Sequence, residues 1–143
     1  MTRVLAIDWG GRRIGLAISD PSGTLARPLT TLAVRNAAEG IERVADEIGR
    51  LERDEDGLSS IVVGLPVRLD GSPSEQTPRV AAFIDALKAR TRVPIVTADE
   101  RLTSREAEGR LSVHERDWRK RKATLDAAAA AIILQEYLDR PRG

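Results

Sequence analysis

The sequence predicts an α/β fold: a mixed five-stranded sheet, three antiparallel strands followed by two parallel ones, flanked by helices. Two observations predict it. The first 34 residues carry apolar runs and period-two alternation with no helical stretch, and from residue 37 onward segments of helical spacing separate short β-branched runs.

Residues 4–7 form a continuous apolar run, as expected of a strand buried on both faces, and the run stops at Asp8-Trp9-Gly10-Gly11, which has turn chemistry. Residues 13–19 alternate, with Ile14, Leu16 and Ile18 on one face and Gly15, Ala17 and Ser19 on the other, so they read as the return arm of a hairpin. Residues 24–34 supply a third antiparallel strand. Residues 37–53 place Ile41, Val44, Ala45, Ile48 and Leu51 at helical spacing.

Residues 60–63 predict a strand closed by Gly64-Leu65-Pro66, and residues 75–90 a helix with Val80, Phe83, Ile84 and Leu87 inward. Residues 94–97 predict the last strand, ending at Asp99-Glu100; Thr103-Ser104-Arg105-Glu106 then has the spacing of a capping box. Thr124 is the expected cap of a final helix packed through Leu125, Ala129, Ile132, Ile133 and Tyr137. The order βββαβαβαα is the RNase H-like arrangement, and no Pro- or Gly-rich linker divides it, so residues 1–143 read as one domain.

Composition limits the chemistry. With no Cys and a single His, thiol catalysis, disulfides and Cys/His metal sites are excluded, so any metal must sit among oxygens. A serine hydrolase is disfavoured as well, because His114 lies among charged residues and no Gly-x-Ser-x-Gly elbow is present. The N-terminus lacks the pattern of a signal peptide and no apolar run approaches the ~18 residues of a membrane span, so a cytoplasmic protein is expected. The net charge of +1 conceals an acidic stretch at 39–56 and a basic one at 110–122.

In open α/β sheets functional groups collect beyond the carboxyl ends of central strands, where Asp8 and Glu100 are expected, with Gly64 ending a strand nearby. Each carboxylate also has a structural reading: Asp8 as a turn former, Glu100 as a surface ion pair, Asp126 as an acid in the first turn of a capped helix. Together they suit phosphodiester hydrolysis, which needs an activated water and a stabilised leaving oxygen. Two divalent ions held by carboxylates provide both, with Mg²⁺ or Mn²⁺ as the cation. Gly10 and Gly64 permit sharp turns or the close approach of a nucleic-acid backbone. Arg119, Lys120, Arg121 and Lys122, in a stretch expected to join two helices, are candidate phosphate contacts.

Several segments carry a family resemblance. Ala6-Ile7-Asp8-Trp9-Gly10 with Ile14-Gly15-Leu16-Ala17, Val62-Val63-Gly64-Leu65-Pro66, Asp99-Glu100-Arg101-Leu102-Thr103, and Lys122 followed by Asp126 resemble the YqgF/RuvX family. The resemblance spans nearly the whole chain. It implies an RNase H-like nuclease with Asp8, Glu100 and Asp126 as its acidic triad, acting as a Holliday junction resolvase or on the 5′ end of pre-16S rRNA. The partner is then nucleic acid, either branched DNA or ribosomal RNA precursor, and symmetric junction cutting would favour a homodimer. At Trp9-Gly10-Gly11 the chain departs from the family, which often has Thr or another small polar residue in the last place.

Two other functions compete. An actin-like phosphotransferase needs two lobes around ATP, which this length does not provide. A non-catalytic nucleic-acid-binding protein could keep the same fold, with its carboxylates serving only turns and caps.

Overall fold

The apolar run that opens the chain lies at the centre of the sheet. In the computed structural model, which describes residues 2–66, 72–99 and 118–140 (residues 99 and 118–125 by backbone alone), the elements in order are β1 (Arg3–Trp9), β2 (Arg13–Ser19), β3 (Ala26–Ala33), α1 (Ala37–Arg53), β4 (Leu58–Leu65), α2 (Thr77–Lys88), β5 (Ile95–Asp99) and α3 (Trp118–Asp139). The strand order is β3-β2-β1-β4-β5. β1 pairs antiparallel with β2, and β2 with β3, whereas β4 lies parallel to β1 and β5 parallel to β4. This is the predicted mixed sheet; a short turn can close only an antiparallel pair, and each parallel pair needs a crossover.

Alternation along the strands sorts the core into two unlike layers. Leu5, Ile7, Ile14, Leu16, Ile18, Ile61 and Val63 point to one face, where they pack with Val44, Ile48 and Leu51 of α1 and Val80, Phe83, Ile84 and Leu87 of α2. Val4, Ala6, Ala17, Val62 and Ala98 point to the other and pack with Ala130, Ile133, Leu134 and Leu138 of α3. Large side chains fill the space under two helices, while small ones let a single helix lie close to the sheet.

Local chemistry fixes the ends of the elements. Asn36 caps α1 by accepting the Glu39 N–H at 2.9 Å. At the other end the Arg3 guanidinium donates to the carbonyls of Leu51 and Gly57, each at 3.2 Å, satisfying a backbone acceptor that the helix leaves over. Between β2 and β3 the Asp20 carboxylate accepts from Ser22 Oγ and from the N–H groups of Thr24 and Leu25; these bonds, Ser22 first, hold its carboxyl below the usual range.

Three expectations need correction. β1 runs through Trp9, so Asp8 is a strand residue paired with Gly15 and not part of the turn. β4 continues to Leu65, with Gly64 paired to Ala98, because parallel pairing with β5 extends the strand beyond its apolar run. The last helix begins at Trp118, so Thr124 is interior and caps nothing, and residues 118–122 are helical where a connecting loop was expected. Arg, Lys and Ala are strong helix formers, and their propensity outweighed the cap signal. The capping-box helix expected from Thr103 lies outside the described residues.

α3 is tied to the edge strand by one amide. Gln135 Oε1 accepts the Ala26 N–H and its Nε2 donates to the Thr24 carbonyl, both at 2.9 Å. Gln135→Ala is expected to cost about 1–3 kcal/mol, the net worth of the two bonds to the β2–β3 backbone, with the exposed bond to Asp139 adding little. A urea-unfolding midpoint that falls with an unchanged slope checks it.

Candidate functional site

Sheet register brings a row of small residues to the carboxyl end of the parallel strands, with one acid among them. Asp8 pairs with Gly15 across β1 and β2, Ile7 pairs with Val63 across β1 and β4, and Gly64 pairs with Ala98 across β4 and β5. By strand alternation from Ala6, Ala17, Val62 and Ala98, the positions Gly15, Asp8, Gly64 and Ala98 all belong to the face that carries α3. Asp8 is half-buried there.

α3 comes down on this row at Gly15. A Cβ built on Gly15 would overlap the carbonyl carbon and oxygen of Asp126 and stand 3.0 Å from the Ala127 nitrogen. The peptide of Asp126 therefore occupies the space a side chain at position 15 would need. Side chains of directly paired strand residues start about 4.5–5.5 Å apart, so the Asp8 carboxylate is one side chain away from the place where α3 carries Asp126. The Asp126 Oδ2 accepts a hydrogen bond from Arg13 Nε at 2.7 Å, and Arg13 lies on the same face, two residues before Gly15. Asp126 stands eight residues after the first residue of α3, more than two turns in, so the reading of it as a helix-dipole partner fails.

The other sequence candidates divide. Gly10 has a structural reason: its N–H donates to the Arg13 carbonyl at 2.9 Å, and a Cβ there would sit 2.7 Å from that same oxygen. Gly11 beside it has φ +83°, a conformation that favours glycine. Gly64 is buried in β4 on the site face. Arg119, Lys120, Arg121 and Lys122 fall in the first two turns of α3, upstream of Asp126 in the same rigid element. Glu100 lies outside the described residues, as do the side chains of Asp99 and of the four cations. Trp9 is turned to the opposite face, packed on Phe83 with ring centroids 6.0 Å apart, so it offers no stacking surface at the site.

Sequence reasoning missed Arg13 and Gly15. The signal for Gly15 was available, since a glycine inside a strand pattern marks a close approach of another backbone. Arg13 had none, because its partner is 113 residues away.

The donors gathered on this face are carboxylate oxygens, with no thiol in the chain. That set fits a hard divalent cation of the Mg²⁺ type, which takes oxygen ligands and keeps part of its water shell. Asp8 and Asp126 are the acids described on this face that could hold it. Among the described residues no group of three or more acidic or imidazole side chains could surround an ion.

A mixed five-stranded sheet in the order β3-β2-β1-β4-β5, with a C-terminal helix closing one face, is an RNase H-like fold. Thermus thermophilus RuvC shares the fold, with a TM-score of 0.56 and 19% identity over 96% of this chain and 94% of that one. RuvC from the same organism in complex with a Holliday junction substrate gives 0.54 and 16% over the same shares. The chain belongs to the RuvX family, described as Holliday junction resolvase, which it matches over residues 2–140. Relatives include proteins of Desulforudis audaxviator, 36% identical over 96% of this chain and 94% of the relative, and of Chloroflexus aurantiacus, 44% identical over 97% and 88%. Both carry the name "Putative pre-16S rRNA nuclease".

The Gly15 contact is open to test. Gly15→Ala must push α3 away from the sheet, because the added methyl meets backbone that cannot rotate aside. A loss of about 1–3 kcal/mol is expected from overpacking, with loss of divalent-cation binding as Asp126 moves from Asp8. Thermal unfolding with and without Mn²⁺ checks both: the mutant midpoint falls and no longer responds to the ion.

Proposed function

We propose that this chain is a metal-dependent nuclease that hydrolyses phosphodiester bonds in structured nucleic acid. The observation that carries the reading is the seating of the Asp126 peptide on Gly15, directly across the strand pair from Asp8. Asp8 and Asp126 are assigned as metal ligands and Glu100 as the third acid, with Mg²⁺ or Mn²⁺ as the ion. When bound, the cation supplies positive charge at the scissile phosphate and eases deprotonation of the attacking water. The protein's own part is to hold the carboxylates on rigid elements, β1 and α3, so that the ligand geometry does not depend on a loop.

The substrate grip is assigned to the start of α3. Of the four consecutive cations, Arg119, Lys120 and Arg121 lie in the first turn and run against the macrodipole, each by about 0.3–1 kcal/mol, and that turn has no acidic residue to offset them. Helix propensity accounts for these residues being helical, whereas phosphate binding accounts for their shared positive charge. Lys122 is one turn before Asp126 and Arg119 two turns before it, so a strand bound along the start of α3 leads to the carboxylates. The relatives' name points to pre-16S rRNA and the family description to four-way DNA junctions. If symmetric junction cutting is the activity, a two-fold dimer follows, since each subunit then addresses one strand. Among the described residues no helix is long and apolar enough to cross a membrane.

Cleavage of pre-16S rRNA, four-way DNA junctions and linear duplex, each in Mg²⁺ and in Mn²⁺, separates the substrates. Asp8→Asn and Asp126→Asn are each expected to lower cleavage by at least about a hundredfold while substrate binding survives, because a ligand charge is lost and shape is kept. Wild-type rates in both variants would refute the assignment. Binding by the wild-type chain with no cleavage of any of the three would mark it as a non-catalytic binder.

Neutralising Arg119, Lys120 and Arg121 together is expected to weaken duplex or junction DNA binding and to reduce the slope of log K against log salt by about 0.9 per lost contact. Fluorescence anisotropy across a salt series in Ca²⁺ reads both quantities. An unchanged slope would move the substrate grip elsewhere.

A further inference from the structure

We propose that Arg13 is a positioning residue that changes partners: it holds the Asp126 carboxylate while the site is without its cation, releases that oxygen when the cation binds, and then donates to a substrate phosphate. This rests on the metal-nuclease reading above.

The geometry of the pair carries the inference. Arg13 Nε meets Asp126 Oδ2 at 2.7 Å through a single hydrogen bond, although a guanidinium has five donors in a fork that suits bidentate pairing. A pair built only to fasten α3 to the sheet gains most from the two-pronged form and from burial. This one is single-pronged and only partly buried: the Arg13 side chain is 35% exposed and that of Asp126 24%, so water and ions reach both. The pair also sits where charge must change on binding. Without a cation, Asp8 and Asp126 bring two negative charges to one face of the sheet, and Arg13 offsets that of Asp126 through a direct bond. Once a divalent ion is present, the oxygen held by Arg13 becomes a ligand and the guanidinium becomes a like charge beside that ion. Exchange relieves both conflicts and leaves a phosphate-binding fork next to the ion that the same phosphate approaches.

Exchange predicts effects of opposite sign from one substitution. Removing a unit charge a few ångströms from a divalent ion should tighten bare-ion binding by about tenfold even with the screening of water. The same removal should weaken nucleic-acid binding several-fold, because a charge-assisted phosphate contact disappears. A merely structural role would weaken both.

The test compares wild type, Arg13→Gln and Arg13→Lys. Mn²⁺ dissociation constants are read by electron paramagnetic resonance of the free ion, and affinity for labelled junction DNA or pre-16S RNA by anisotropy in saturating Ca²⁺. The expected result is tighter Mn²⁺ and weaker nucleic acid in Arg13→Gln, with Mn²⁺ affinity near wild type in Arg13→Lys, which keeps the charge. Mn²⁺ affinity unchanged or lowered in Arg13→Gln overturns the exchange. A measurement on the wild type does not depend on any variant folding: the Arg13 Nε–H resonance should shift on Mg²⁺ titration together with the amide of Asp8. An Asp8 amide that shifts while the Arg13 Nε–H stays fixed refutes exchange and leaves the metal site standing. No saturable Mg²⁺ or Mn²⁺ binding in the wild type refutes both.

Discussion

The contact between Gly15 and the peptide of Asp126 governs the active face of this protein. A helix normally rides on a sheet with side chains between the two backbones; at this point there is none, and the helix backbone fills the place of a missing Cβ. The consequence extends along α3. Residues beneath it are held to small volumes, as Ala6, Ala17 and Ala98 show, and α3 answers with Ala127 and Ala130 in the turn after Asp126. Larger residues on either side would lift the helix and carry Asp126 away from β1.

The opposite face does different work. Leu5, Ile7, Ile14, Leu16 and Ile18 are fully buried under α1 and α2, and truncating such side chains typically costs about 2–5 kcal/mol each. The larger core side chains of the strands are thus concentrated on one side of the sheet and the acids Asp8 and Asp126 on the other. The division lets the site face carry a half-buried acid, an ion pair open to water and two glycines, Gly15 and Gly64. β1 belongs to both layers at once: its odd-numbered residues anchor the core, and its even-numbered ones lead through Val4 and Ala6 to Asp8.

Much of this was legible in the sequence, for identifiable reasons. The strands of the sheet and helices α1 and α2 follow from periodicity, because each buries one face and the pattern records which. Asp8 was legible as a strand-end acid, since the run before it is apolar without a break. The start of α3 was misread because Thr124 carries a local cap signal while the helix-forming tendency of Arg119 to Ala123 is spread over several residues. Local motifs are easier to see than summed propensities. A close approach at Gly15 could be read from a glycine inside a strand, but its partner Asp126, and the bond of Arg13 to Asp126, could not: both join the start of the chain to its end, and no pattern in either segment refers to the other.

Moving Asp126 from a helix start to a helix interior changes its electrostatics. In a first turn the macrodipole would stabilise the carboxylate, and a bound cation would have to compete with a partial positive charge built into the backbone. More than two turns in, that field is spent, since it falls off within the first turn. The carboxylate then needs a partner that can leave, and a side chain on a neighbouring strand can leave where a helix terminus cannot. Arg13 meets that requirement, and the hairpin holds it in place: the Gly10 N–H accepted by the Arg13 carbonyl fixes the backbone at residue 13, while its partly exposed side chain bonds Asp126 at the edge of solvent. A fixed backbone with a movable charge allows the acids to be compensated before the cation arrives and released when it does.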